Sequence, residues 1–156
     1  MKRFRNLIWI VLLSGASLRG APYTDNGNGT VTDSATGLLW QKCSNGLNAT
    51  ICSGTASTST WTDAITYCEG LSLGSRSDWR LPNVNELRTI VDYIKSTAPT
   101  IDTTAFPGTQ SSNYYWSSST YALSTNNAWV INFNNGIVTN GSKDFTTYYV
   151  RCVAGP

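Results

Sequence analysis

Histidine is absent from this chain of 156 residues. That removes the side chain that most often shuttles protons near neutral pH or ligates a transition metal. None of the four cysteines is spaced as a metal-ligand C-x-x-C pair, so no metal and no cofactor is expected. Charge is scarce, at 13% of residues. The excess of cations is smaller than it looks. Lys2, Arg3 and Arg5 lie at the very start, and without residues 1–17 the 11 basic residues fall to 8 against 9 acidic, a net of −1. No basic patch remains to bind nucleic acid or an anionic membrane. No apolar run approaches the ~20 residues of a membrane-spanning helix. The chain is also no candidate for disorder, because six Trp and eight Tyr need burial.

The first residues read as an export signal. A basic start is followed by the charge-free run from Leu7 to Leu13, then by the small residues Gly15, Ala16 and Ser17. Residues 1–17 are expected to be removed, with cleavage between 17 and 21. A cut after Ser17 fits the small-x-small pattern, and one after Ala21 would leave Pro22 at the new end. Residues 22–156 then form one domain, with no membrane span after cleavage and a location in the periplasm, on the outer surface or in the medium.

In an exported chain an even number of cysteines implies disulfides, and four allow three connectivities. Cys43 and Cys52 bracket a polar loop, and their direct closure is the simplest pairing. Residues 60–69 read as a helix capped by Thr60 and ended by Gly70. Trp61, Ala64, Ile65 and Cys68 share one face of it. Cys68 thus points to the core and is expected to meet Cys152 on a distant strand. That closure of about 85 residues is worth about 4–5 kcal/mol in the chain-entropy account.

The stretch Trp79-Arg80-Leu81-Pro82-Asn83-Val84-Asn85-Glu86-Leu87 joins an extended segment to a second helix. Pro82 keeps Leu81 out of helical geometry, and Asn83 with Glu86 forms a capping box. The expected apolar face is Val84, Leu87, Val91 and Ile94. Arg80 is expected to pair with a carboxylate or with carbonyls near the turn.

Strands are expected before and after the helices. Residues 23–40 read as short strands around Asp25-Asn26-Gly27-Asn28-Gly29, a hairpin turn. Asp25, Asn28 and Asp33 offer oxygens to calcium but lack the acidic ladder and closing Glu of an EF-hand, and ordinary turn chemistry is the expected reading. The Ser/Thr-rich residues after Cys52 read as a surface loop. Residues 113–120 and 128–134 read as strands, with Trp129, Ile131 and Phe133 on one face of the second. Asn135-Gly136 is a two-residue hairpin signal into 137–139. Residues 147–153 read as a final strand with Tyr148, Val150 and Cys152 on one face. Two helices and an antiparallel sheet make an α+β layout.

Six blocks in order carry a family likeness: residues 29–43 (GTVTDSATGLLWQKC), 60–71 (TWTDAITYCEGL), 79–87 (WRLPNVNEL), 114–122 (YYWSSSTYA), 128–138 (AWVINFNNGIV) and 148–153 (YYVRCV). Together they resemble the Lcl C-terminal domain family, named from a bacterial collagen-like surface adhesin. The resemblance implies a C-type-lectin-like fold: two helices flanking a twisted antiparallel sheet, with a disulfide from the first helix to the last strand. The W-R-L-P turn also resembles the R-L-P turn of formylglycine-generating enzymes. The resemblance further implies a surface-exposed or secreted binding domain whose partner is an extracellular matrix protein or a glycan. Three family-related features are missing: a collagen-like repeat, a basic surplus for sulfated glycans, and the Glu-Pro-Asn or Gln-Pro-Asp motif of calcium-dependent lectins.

Three functions follow. The first is a binding module, an adhesin, acting through Tyr114, Tyr121, Asn132, Asn134, Asn135 and Lys143, since aromatic and amide side chains combine flat apolar area with directional hydrogen bonds. The second is a structural subunit of a surface layer or appendage, for which the near-neutral Ser/Thr/Asn-rich surface allows an oligomer. The third is an enzyme like the formylglycine generators. It is set aside because the cysteines are expected to be paired and because Glu69, Glu86, Asp92 and Asp102 form no evident pair in the sequence.

Overall fold

The computed structural model describes residues 22–155. The expected signal and its cleavage positions lie outside the described residues. The domain is α+β, with two sheets, two short helices and two disulfides.

The first sheet is antiparallel and joins both ends of the domain. Its order is β1 (Tyr23–Asp25), β2 (Thr30–Asp33), β3 (Leu39–Gln41) and β9 (Val153–Ala154). The β1–β2 turn is built by its side chains. Asp25 Oδ1 accepts from the Gly27 amide, Asn28 Oδ1 accepts from the Thr30 amide, and Gly27 and Gly29 take positive φ. Asp25 Oδ2 is held by Lys42 at 2.7 Å, and Asp33 accepts from Ala35 and Thr36. The oxygens considered for calcium are therefore engaged in turn hydrogen bonds.

The second sheet has the order β4 (Thr58–Ser59), β8 (Tyr148–Tyr149), β5 (Tyr114–Thr120), β6 (Asn127–Asn132) and β7 (Val138–Ser142). Its pairs are antiparallel except β5 with β8, where Tyr115 lies beside Tyr149 in parallel. Successive residues of β5 and β6 enter opposite cores. Tyr115 and Ile131 join Trp40, Leu87, Phe106 and Phe133 on one side. Trp116 and Val130 join Cys68, Trp79, Leu81, Val150 and Cys152 on the other. The sheet is thus buried on both faces at its centre, so Val130, on the face opposite Ile131 and Phe133, is fully buried as well.

Helix α1 (Trp61–Glu69) starts where Thr60 Oγ1 accepts from the Asp63 amide and stops where the Gly70 amide bonds back to Thr66. Ala64 and Cys68 are fully buried, and Trp61 and Ile65 pack at the margin. Cys68 is bonded to Cys152, and Cys43 to Cys52, as expected.

Helix α2 (Val84–Thr89) carries the expected capping box between Asn83 and Glu86. The same Glu86 receives a two-pronged bond from Arg80, at 2.7 and 2.8 Å. Burial pushes the Glu86 carboxyl up, but the Arg80 bridge and the Asn83 amide outweigh it and hold it below its usual range. The Arg80 backbone also pairs both ways with Val153, which fastens the turn to β9.

Four expectations need correction. Ile94 does not share the α2 face; the helix ends at Thr89 and Ile94 is 96% exposed. The cause is Asp92, whose Oδ1 takes the amides of Ile94 and Lys95 and redirects the chain. The Asn135-Gly136 link is not a two-residue hairpin. Phe133 is buried in the core, and the loop closes instead through Gly136 and Ile137 bonding to Asn132. Residues 147–153 are not one strand. Gln41 receives and returns hydrogen bonds at Cys152, so the chain passes from β8 in one sheet to β9 in the other. Finally, the loop after Cys52 contains β4, paired with β8.

Candidate functional site

The six residues expected to form a contact surface fall into two groups. Tyr114 and Asn132 lie opposite each other at one end of β5 and β6. Tyr114 is half-buried, with its ring edge-on to Tyr148 at 5.3 Å. Asn132 and Asn135 accept from the amides of Asn134 and Ile137, so both build the loop, while Asn134 and Asn135 are exposed. Tyr121 and Lys143 lie at the other end. Tyr121 meets Trp129 edge-on at 4.9 Å. Lys143 Nζ donates to Thr120 Oγ1 and the Thr125 carbonyl and sits 4.1 Å over the Trp61 ring. At ~3.3 Å per residue the length of β5 separates the two groups by about 20 Å. They do not form one site.

A different region forms a concave surface. Pro22, Tyr23, Ile90, Val91, Asp92, Ile94 and Asp102 line a groove of about 520 Å³. Strand β1 provides one wall and the turn after α2 the other. Ile90 and Val91 are buried at its base, and Ile94 stands almost fully exposed beside a half-exposed Tyr93. Asp92 and Asp102, which form no evident pair in the sequence, both line this groove. Each uses Oδ1 to hold its own turn: Asp92 with Ile94 and Lys95, Asp102 with Thr104 and Ala105.

Tyr23 reports the local field. Its ring packs edge-on against Phe106 at 5.0 Å. Burial, then the carboxylates of Asp33, Asp102 and Asp92, push its phenol up to about 12. The groove is therefore apolar at its base and electronegative at its rim. The nearby cation, Lys95, donates to the Ile101 carbonyl.

Arg151 is the other unusual charge. It is fully buried, with no carboxylate beside it among the described residues. One nitrogen, Nη2, reaches the Lys42 carbonyl and the hydroxyls of Ser44 and Thr109 at 3.0–3.4 Å. The guanidinium stacks on Phe106 and Tyr115, at 4.9 and 5.7 Å from the ring centres. Burial lowers its proton affinity, and the neighbouring Tyr115 opposes this. Nε and Nη1 have no hydrogen-bond partner among the described residues. The side chain ties the first disulfide loop to the 109 segment, and through Phe106 it backs the Tyr23 ring that lines the groove.

Sequence reasoning missed the groove because its walls are far apart in the chain. The one local signal was Asp92, two and three residues before amides that it could cap, in front of an isoleucine.

No curated protein sequence matches this chain. A family model for the Lcl C-terminal domain does, over residues 29–154. That span takes in both disulfides, both helices and strands β2 to β9, as the six sequence blocks anticipated. The chain therefore belongs to the Lcl C-terminal domain family.

Proposed function

We propose that this chain is an exported surface binding module, an adhesin-type domain whose partner is an extracellular matrix protein or a glycan. Family membership supports a surface-associated domain. Two disulfides suit an oxidising location outside the cytoplasm. Among the described residues, no helix is long and apolar enough to cross a membrane. The observation that carries the reading is the groove between β1 and the turn after α2, an open concavity with apolar residues at its base and polar groups at its rim. In this reading the domain binds rather than catalyses. All four cysteines are paired, which leaves no free thiol for formylglycine-type chemistry.

The test is binding of the disulfide-intact exported chain to immobilised matrix proteins and glycans. Saturable binding to one of them supports the module, and none across both sets contradicts it. A structural subunit is the second reading. It is favoured by Leu123 and Phe145, which are 86% and 91% exposed on turns joined by the Lys143–Asn126 backbone bond. A discrete oligomer lost on Leu123→Ser with Phe145→Ser, and no ligand, would favour that reading instead.

A further inference from the structure

We propose that the groove between β1 and the turn after α2 docks an extended peptide segment of a partner protein that presents a lysine or arginine beside an aliphatic side chain. This rests on the binding-module reading and narrows its partner from matrix protein or glycan to protein.

Three observations converge on that chemistry. The base of the groove is aliphatic, from Ile90 and Val91, and Ile94 extends it outward with 96% of its surface in water. A branched aliphatic side chain left so exposed gains by being covered. Next, Asp92 and Asp102 line the same space, and the hydrogen bonds their side chains make among the described residues all fall on Oδ1. Each keeps its second carboxylate oxygen for an incoming cation. Lastly, Lys95 gives its ammonium to the Ile101 carbonyl, and among the described residues it forms an ion pair with neither aspartate. A sulfated or carboxylated glycan would meet repulsion at this rim and an aliphatic base with few donors. A basic, aliphatic peptide meets opposite charge and apolar cover together.

The probe is an acetylated, amidated pentapeptide of alternating isoleucine and lysine, with its isoleucine–glutamate counterpart as control. Backbone amide shifts of the disulfide-intact chain are followed during titration. The expected result is saturable shifts at Tyr93, Ile94 and Lys95 with the lysine peptide. The glutamate peptide should bind about tenfold more weakly or not at all. Asp92→Asn with Asp102→Asn keeps an acceptor oxygen for each turn, so the fold is retained, and binding should weaken about tenfold. Raising salt from about 50 mM to about 500 mM should weaken it several-fold. Ile94→Ser should weaken binding without altering the salt response.

Equal affinity for both peptides, full affinity in the double variant, or shifts mapping elsewhere would overturn the assignment. So would shifts at Ile94 that depend on protein concentration alone, which would mean that a second copy fills the groove. The matrix and glycan sets are probed with wild type and double variant in parallel. Binding there that survives the double variant overturns this inference and leaves the module reading standing. Groove binding of the lysine peptide with no partner in either set supports the groove and counts against a matrix or glycan ligand.

Discussion

Arg151 carries a positive charge into the interior, where no carboxylate lies beside it among the described residues. Two aromatic faces and three oxygens hold it. Truncation would open a void and take one donor from the Lys42 carbonyl and from the Ser44 and Thr109 hydroxyls, which keep their bonds to Tyr115 and to the Phe106 carbonyl. Arg151→Ala is expected to destabilise the domain by about 3 kcal/mol or more, and Arg151→Met, which refills the volume, by clearly less. Urea unfolding of both variants checks this; a loss under about 1 kcal/mol for the alanine would contradict it. Tyr23 gives a pH prediction. Its folded phenol titrates near 12 against 10.0 when free, so the fold favours the neutral form. That stabilisation is complete below pH 10 and is lost as pH rises from 10 to about 12. The absorbance titration at the tyrosinate band should show a late-ionising group that Tyr23→Phe removes, with alkaline stability improved in that variant.

Local elements differ in how far residue chemistry determines them. The α2 start was legible because Asn83 and Glu86 act within four residues, and the structure adds Arg80 as a second partner of the same carboxylate. The α2 end was not legible, because the apolar spacing continued to Ile94 while Asp92 captured two amides and stopped the helix. Strands β5 and β6 were legible from alternation. Strand β4 was not, since two residues carry no period and pair only through β8. The Asn135-Gly136 turn was placed but its length was misread, because burial of Phe133 outweighs the preference for a tight two-residue turn. Gly136 has φ of +73° and no room for a side chain: a Cβ there would lie 2.8 and 2.9 Å from Tyr93 and Val91. Gly136→Ala should therefore cost about 1–3 kcal/mol and disturb the amide shifts of the groove-lining turn as well as its own loop. Unchanged shifts at Val91 and Tyr93 would show that the loop does not brace the groove.

At the scale of the whole molecule, the Cys68–Cys152 bond spans 84 residues and joins α1 to the crossing between the two sheets. Converting both cysteines to alanine should cost about 4–5 kcal/mol, against about 3 for the Cys43–Cys52 pair, by the entropy of the loops released. Denaturant midpoints of the two double variants test the order. Periodicity pointed to this bond because Cys68 sits on the inward face of α1 and the alternation of Tyr148, Val150 and Cys152 turns Cys152 inward, although Cys152 lies at the crossing between β8 and β9 and not in a strand. It could not reveal the groove, which needs β1 beside residues some seventy positions away, nor that the six expected contact residues are divided between two ends of a sheet. The central claim is that the domain binds a partner outside the cell. Its most direct test is equilibrium binding of the disulfide-intact chain to the matrix-protein and glycan sets, run beside the variant with Asp92→Asn and Asp102→Asn. The account predicts saturable binding to at least one protein, weakened about tenfold by the two substitutions. No saturable binding to any matrix protein or glycan, with the fold and both disulfides intact, would contradict it.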